Sequence, residues 1–218
     1  MFPALYAILD PTLIPAINPT SIKDPLVEFA AQLSEAGVQL MQLRDKKASA
    51  RKIYAESRAM AERLAGTGVR LILNDRPDIA AMIGAGGVHV GQEDLPVEAA
   101  RAICGSRCWV GISTHNLAQL REANQTSADY IAVGPIFPTA TKENPDPVVG
   151  IDFLRLARQE TRKPLVAIGG ITIESAAEVF RAGADSVAVI RDLLEAPSPG
   201  RRASEYLAMA ERSRWERA

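Results

Sequence analysis

"IGAGGVHVGQEDLP", residues 83–96, passes through one complete structural cycle. A helical pattern halts at glycine, a short aliphatic run follows over 87–91, and that run ends on Gly91 shortly before a new helical pattern opens near Pro96. Glycine takes the left-handed conformation just past a helix end at little cost, which gives the halt a physical cause. The same punctuation recurs in "SEAGVQLMQL" at 34–43 and "RAGADSVAVI" at 181–190. These echoes point to a repeated βα unit.

Outward from this stretch the alternation runs almost from end to end. β-branched and aliphatic runs predict strands at 4–9, 38–43, 69–73, 87–91, 108–112, 129–133, 164–168 and 185–190. Helical patterns lie near 23–36, 48–65, 76–83, 96–103, 116–126, 151–160, 173–182 and 200–214. Eight strands alternating with helices imply a parallel sheet covered by helices. No G-x-G-x-x-G follows the first strand, so the signature of a doubly wound dinucleotide fold is absent. The expected architecture is a single α/β domain over 1–218, a (βα)8 TIM barrel with its active site at the C-terminal strand ends. No linker or shift of composition divides the chain.

With 25 basic and 26 acidic side chains, the net charge of −1 gives no general attraction to nucleic acid or to an anionic membrane. An anionic ligand therefore needs a local cluster. The opening "MFPALYAILDP" lacks the form of a signal peptide, and no apolar run approaches the roughly eighteen residues of a membrane span. The expected location is the cytoplasm. Cys104 and Cys108 in "CGSRC" have no partners at zinc-site spacing and read as unpaired thiols. His89 and His115 read as structural, and neither a Ser-His-Asp order nor a nucleophile elbow is present. A reaction without a protein nucleophile fits this inventory.

In a barrel, function is legible where polar residues interrupt the carboxyl ends of strands. In "MQLRDKK", residues 41–47, alternation puts Gln42, Arg44 and Lys46 on one face and Met41 and Leu43 on the other. The Arg and Lys suit a phosphate or pyrophosphate. The third strand ends in Asn74 and Asp75, and the fourth leads to Asp94. Asp94 fits a helix N-cap as well as a ligand. Strands lie about 4.8 Å apart, so Asp75 and Asp94 can face one ion, and hard oxygen donors suit Mg²⁺ completed by substrate phosphate. Asp78 reads as a helix-start residue. The loop "GPIFPTATKENPDPVVG", 134–150, carries Thr139, Thr141 and Lys142 and is long enough to cover a site. Gly169 and Gly170 after the seventh strand, with the short helix opening at Arg191 after the eighth, form a second place for phosphate.

Taken in order, "MQLRDK", "LILNDRPDIA", "GVHVGQEDLP", "GISTHN", "DYIAVGPIFPTATK", "VAIGGIT" and "GADSVAVI" closely resemble the thiamine-phosphate synthase family over nearly the whole chain. The resemblance implies an Mg²⁺-dependent transferase joining a hydroxymethylpyrimidine diphosphate to a thiazole phosphate, with release of pyrophosphate. It implies that Tyr6, Gln42, Arg44, Lys46 and Asn74 surround the pyrimidine diphosphate and that Asp75 and Asp94 hold the metal. It further implies that Ser113 and Lys142 contact pyrophosphate, with Thr139, Thr141, Gly170, Ile190 and Arg191 on the thiazole-phosphate side. Position 191 departs from the family, where Ser is frequent, so a hydroxyl contact there is in doubt while a backbone contact survives. A thiazole tautomerase of the same fold and a non-catalytic binder of thiamine phosphate are the alternatives. The tautomerases typically lose the second carboxylate and carry His in the loop after the sixth strand, whereas this chain has Asp94 and "GPIF". The implied partners are small molecules, and a homo-oligomer is left open.

Overall fold

Leu5–Leu9 forms β1 and is buried along its whole length, as a strand covered on both faces must be. It pairs in parallel with Leu40–Leu43 (β2) and with Ser186–Val189 (β8), which closes the sheet. Arg70–Asn74 (β3), Gly87–Val90 (β4), Trp109–Thr114 (β5), Tyr130–Val133 (β6) and Leu165–Ile168 (β7) follow between them in sequence order. This computed structural model, which describes residues 1–14, 24–139 and 146–215, is thus the (βα)8 barrel that the repeated unit predicts.

The outer layer consists of Pro25–Glu35 (α1), Ala50–Arg63 (α2), Pro77–Ile83 (α3), Val97–Cys104 (α4), Leu117–Gln125 (α5), Gly150–Glu160 (α6) and Ile173–Arg181 (α7). Arg191–Leu194 (α8) and Pro199–Trp215 (α9) follow the last strand. Gly84 ends α3 at φ 65°, and Gly37 and Gly183 also have positive φ, so the glycine punctuation has the predicted cause. The Asp192 carboxylate accepts from Arg202 Nη1 at 2.8 Å and Tyr206 Oη at 2.7 Å, which ties α8 to α9. Cys104 and Cys108 are both free. Among the described residues no helix is long and apolar enough to cross a membrane.

The strand bounds differ from the predicted ones by one or two residues, and the ends of β5 and β8 show why. β5 runs on through Ser113 and Thr114, which pair in register with Ala132 and Val133, and the buried Thr114 hydroxyl donates to the Ala132 carbonyl at 3.0 Å. A polar pair extends the strand because its hydroxyl finds a partner inside. β8 stops at Val189, since Ile190 leaves the extended region at φ −115°, ψ −85° to cap α8.

The barrel lumen is filled by Tyr6, Ile8, Leu40, Ile72, Tyr130, Ala132, Val166 and Ala188, one layer of alternation inward from the larger core beneath the helices. Gly111 makes the lumen possible: a Cβ there would lie 2.0 Å from Tyr130 Cζ. The absent side chain admits the Tyr130 ring, which meets Tyr6 edge-on at 5.9 Å. At the N-terminal end Phe2 stacks on Trp109 at 5.4 Å, and the Arg70 guanidinium lies 3.9 Å over the same indole. That end is plugged, and the polar residues collect at the other.

Candidate active site

A cleft of about 950 Å³ opens at the C-terminal strand ends. On its first side Gln42, Arg44 and Lys46 all face in, as alternation requires, while Met41 and Leu43 pack in the outer core. The Gln42 amide donates to the Tyr6 hydroxyl at 2.6 Å. Arg44 is held by Asp10 at 3.1 Å, and Lys46 by Asp75 at 3.2 Å. Asp75 itself sits at φ 58°, a left-handed conformation that short polar side chains tolerate best. Its backbone N–H donates to the His89 carbonyl at 2.8 Å, and Asn74 donates to its carboxylate at 2.6 Å.

Asp94 does not cap α4. The N-cap is Pro96 with no side-chain bond, and the Asp94 carboxylate instead accepts from the Gly91 N–H at 2.8 Å. That turn folds the carboxylate back over the end of β4, toward Asp75. Burial and the hydrogen-bonded Asp94 beside it push the Asp75 carboxyl up to about 6, against the pull of Lys46. Among the described residues no group of three or more His, Cys, Asp or Glu is arranged around a metal position, so the acidic element is this pair.

The second side is built from backbone. The loop after β6 is zipped to the loop after β7 by Ile136 N–H to Ile168 O at 2.8 Å and Phe137 N–H to Gly169 O at 3.0 Å. Gly170, at φ 64°, would place a Cβ 2.4 Å from the Pro138 carbonyl, so only glycine fits. Thr139, Gly170, Ile190 and Arg191 line this side, and the Arg191 guanidinium pairs with Glu195 at 2.5 Å. Thr141 and Lys142 lie outside the described residues.

The family model described as thiamine monophosphate synthase matches residues 5–193. The chain belongs to this family. It is 51% identical over 205 residues to a thiamine-phosphate synthase of Koribacter versatilis, covering 94% of each chain. It is 38% identical over 193 residues to one from Syntrophomonas wolfei, covering 88% of this chain and 89% of that one. A solved thiamine phosphate pyrophosphorylase from Pyrococcus furiosus superposes with a TM-score of 0.84 at 30% identity, covering 96% of each chain.

In this member of the thiamine monophosphate synthase family, several residues that line or brace the cleft are not marked by the sequence patterns. Asp10 follows β1 directly and orients Arg44, and its place at a strand end was the available signal. His89, expected to be structural, lines the cleft, with Nδ1 3.1 Å from Tyr130 Oη and Nε2 2.8 Å from Ser113 Oγ. Burial pushes its imidazole down to about 4, so it is neutral at ordinary pH. Gln92 donates to the Ser113 carbonyl at 2.6 Å, and His115 Nδ1 lies 2.6 Å from the Gly134 carbonyl at the root of the β6 loop. Asp78 lies in the first turn of α3, paired with Arg76, as a helix-start residue should.

The raised Asp75 carboxyl has a consequence for metal-free protein. Below about pH 4 both folded and unfolded chains hold the proton; as pH rises toward 6 the unfolded chain releases it first, and folding stability falls. Asn at position 75 tolerates the left-handed backbone and does not titrate. The melting temperature of Asp75→Asn, relative to the parent in chelator, is therefore expected to rise between about pH 4 and 6 and level off above. A difference that stays flat across this range would remove the proposed crowding of the two carboxylates.

Proposed function

We propose that the chain is a cytoplasmic, Mg²⁺-dependent transferase that joins a hydroxymethylpyrimidine diphosphate to a thiazole phosphate, giving thiamine phosphate and pyrophosphate. The observation that carries this reading is the pairing of two unlike anion sites in one cleft: cations beside a carboxylate pair at β2–β4, and a glycine-backed cradle at β6–β8. One side suits a diphosphate with its metal, the other a monophosphate. The net charge of −1 supports small-molecule partners over nucleic acid or membrane.

In the reaction the bond between the pyrimidine methylene and the diphosphate oxygen breaks, and pyrophosphate leaves with the electron pair. The ring amino group delocalises the resulting cation, and the thiazole nitrogen lone pair forms the new C–N bond. Arg44 and Lys46, fixed by Asp10 and Asp75, stand where charge develops on the leaving group. Lys142 would add a third cation and Ser113 a hydroxyl. Tyr6, Gln42 and Asn74 position the pyrimidine, while Thr139, Thr141, Gly170, Ile190 and the backbone at Arg191 position the thiazole phosphate.

Asp75 and Asp94 fit Mg²⁺, because two crowded carboxylates gain from a shared cation and this ion takes one or two carboxylates plus substrate phosphate and water. Mg²⁺, when bound, supplies charge to offset the departing pyrophosphate. The test is to incubate the protein with both substrates, with and without Mg²⁺, and follow thiamine phosphate by mass spectrometry. Product only with all three components supports the proposal. Thiazole isomerisation without the diphosphate, or product binding without turnover, would replace it by the tautomerase or the binder.

A further inference from the structure

Five side chains from five strands form one continuous chain of hydrogen bonds across the floor of the cleft. Gln42 Nε2 donates to Tyr6 Oη at 2.6 Å; Tyr6 Oη lies 2.9 Å from Tyr130 Oη; Tyr130 Oη lies 3.1 Å from His89 Nδ1; and His89 Nε2 lies 2.8 Å from Ser113 Oγ. Tyr6 and Tyr130 are fully buried, so each hydroxyl proton must find its acceptor within the chain.

With the Gln42 amide nitrogen turned to Tyr6, proton counting sets every direction. Tyr6 already accepts from the Gln42 amide, so it donates to Tyr130. Tyr130, having accepted, donates to His89 Nδ1. With Nδ1 an acceptor, the one proton of a neutral imidazole sits on Nε2 and is donated to Ser113. An imidazolium would carry a proton on Nδ1 and leave the Tyr130 hydroxyl proton without an acceptor. Among the described residues His89 is the one hydrogen-bond partner of Ser113 Oγ.

We propose that this chain is a one-way relay, polarised by the Gln42 amide, that holds His89 as the Nε2–H tautomer and leaves the Ser113 hydroxyl as a donor to an oxygen of the departing pyrophosphate. Tyr130 and His89 are positioning residues, acting on the substrate through Ser113. Were the Gln42 amide turned over, every bond would reverse, and Ser113 would offer lone pairs to an anion instead of a proton. The catalytic part of the inference rests on reading Ser113 as a pyrophosphate contact, whereas the polarity of the relay does not.

The polarity is read first, in the unliganded protein, by long-range ¹H–¹⁵N spectra of the imidazoles. The chain has only two histidines, so His89→Gln assigns the signals. The expected result is His89 protonated on Nε2 with Nδ1 bare, and the opposite tautomer overturns the proposal. Tyr130→Phe keeps the ring that fills the space beside Gly111 and removes only the hydroxyl. It should release the tautomer preference and lower kcat about tenfold with KM nearly unchanged, since a donor at the leaving group is disordered without being removed. In a Ser113→Ala background the same substitution should cost nothing further. An equal loss in both backgrounds overturns the route through Ser113. Should Tyr130→Phe fail to fold, Tyr6→Phe interrupts the chain one link earlier and is read by the tautomer spectrum alone, because Tyr6 also positions the pyrimidine. If no thiamine phosphate forms under any condition, the proposed reaction falls, and the tautomer spectrum still decides the relay.

Discussion

Asp94→Ala is expected to lower turnover about 10²–10³-fold, the loss that follows when one strong electrostatic contribution to charge on a leaving group is removed. The Ala variant also deprives the Gly91 N–H of its 2.8 Å acceptor, so it mixes loss of charge with a loosened turn. Asp94→Asn separates the two, because its amide oxygen can still accept from Gly91 while the charge is gone. The Asn variant should lose nearly as much turnover as Ala, melt close to the parent, and need far more Mg²⁺ to reach its own maximum. It should also bring the Asp75 carboxyl down from about 6, since the neighbour that raises it no longer carries charge. Parent-like turnover in Asp94→Asn with a loss confined to Asp94→Ala would leave Asp94 as a turn residue and withdraw it from the metal.

Local alternation was enough to read the barrel and one wall of its site. Gln42, Arg44 and Lys46 share a face because side chains alternate along a strand, and nothing beyond that rule is needed to put them in the cleft. Asn74 and Asp75 are legible by a different rule, as the polar residues at which an aliphatic strand ends. What escaped depends on partners far apart in sequence. Tyr6 and Tyr130 meet across 124 positions, and their meeting requires the space left by Gly111, which reads in sequence as an ordinary strand glycine. His89 looked structural because burial is the common fate of a histidine within a strand. Its role depends on the hydroxyls at both ring nitrogens, contributed by β6 and β5. Of the two readings of Asp94, cap or ligand, the start of α4 at Val97 excludes the cap, a boundary that sequence patterns place only approximately.

Gly170→Ala should raise the KM for the thiazole phosphate at least about tenfold and leave that for the pyrimidine diphosphate within about twofold, equivalent to roughly 1.4 kcal/mol or more confined to one substrate. Two independent costs meet at this position. A Cβ at φ 64° pays about 1–2 kcal/mol for left-handed backbone, and it would also stand 2.4 Å from the Pro138 carbonyl and 2.8 Å from Phe137 Cβ. The loops after β6 and β7 can relieve that contact only by separating, which strains the Phe137 N–H to Gly169 O bond and re-aims the backbone around Thr139 and Gly170. Displacements of about 1 Å suffice for large losses where binding depends on aimed donors. The diphosphate side is held mainly by Asp10–Arg44 and Asp75–Lys46 and takes only Lys142 from the loop after β6, so the larger loss falls on the thiazole phosphate. Arg191→Ala is the smaller companion change on the same wall. Its guanidinium pairs with Glu195 in an exposed i,i+4 bridge, which is weak enough to be exchanged for a phosphate, so its removal should raise the same KM only severalfold. Steady-state kinetics varying each substrate in turn checks both variants. Equal effects of Gly170→Ala on the two KM values would mean that the cleft is a single coupled site and would dissolve the assignment of separate phosphate ends.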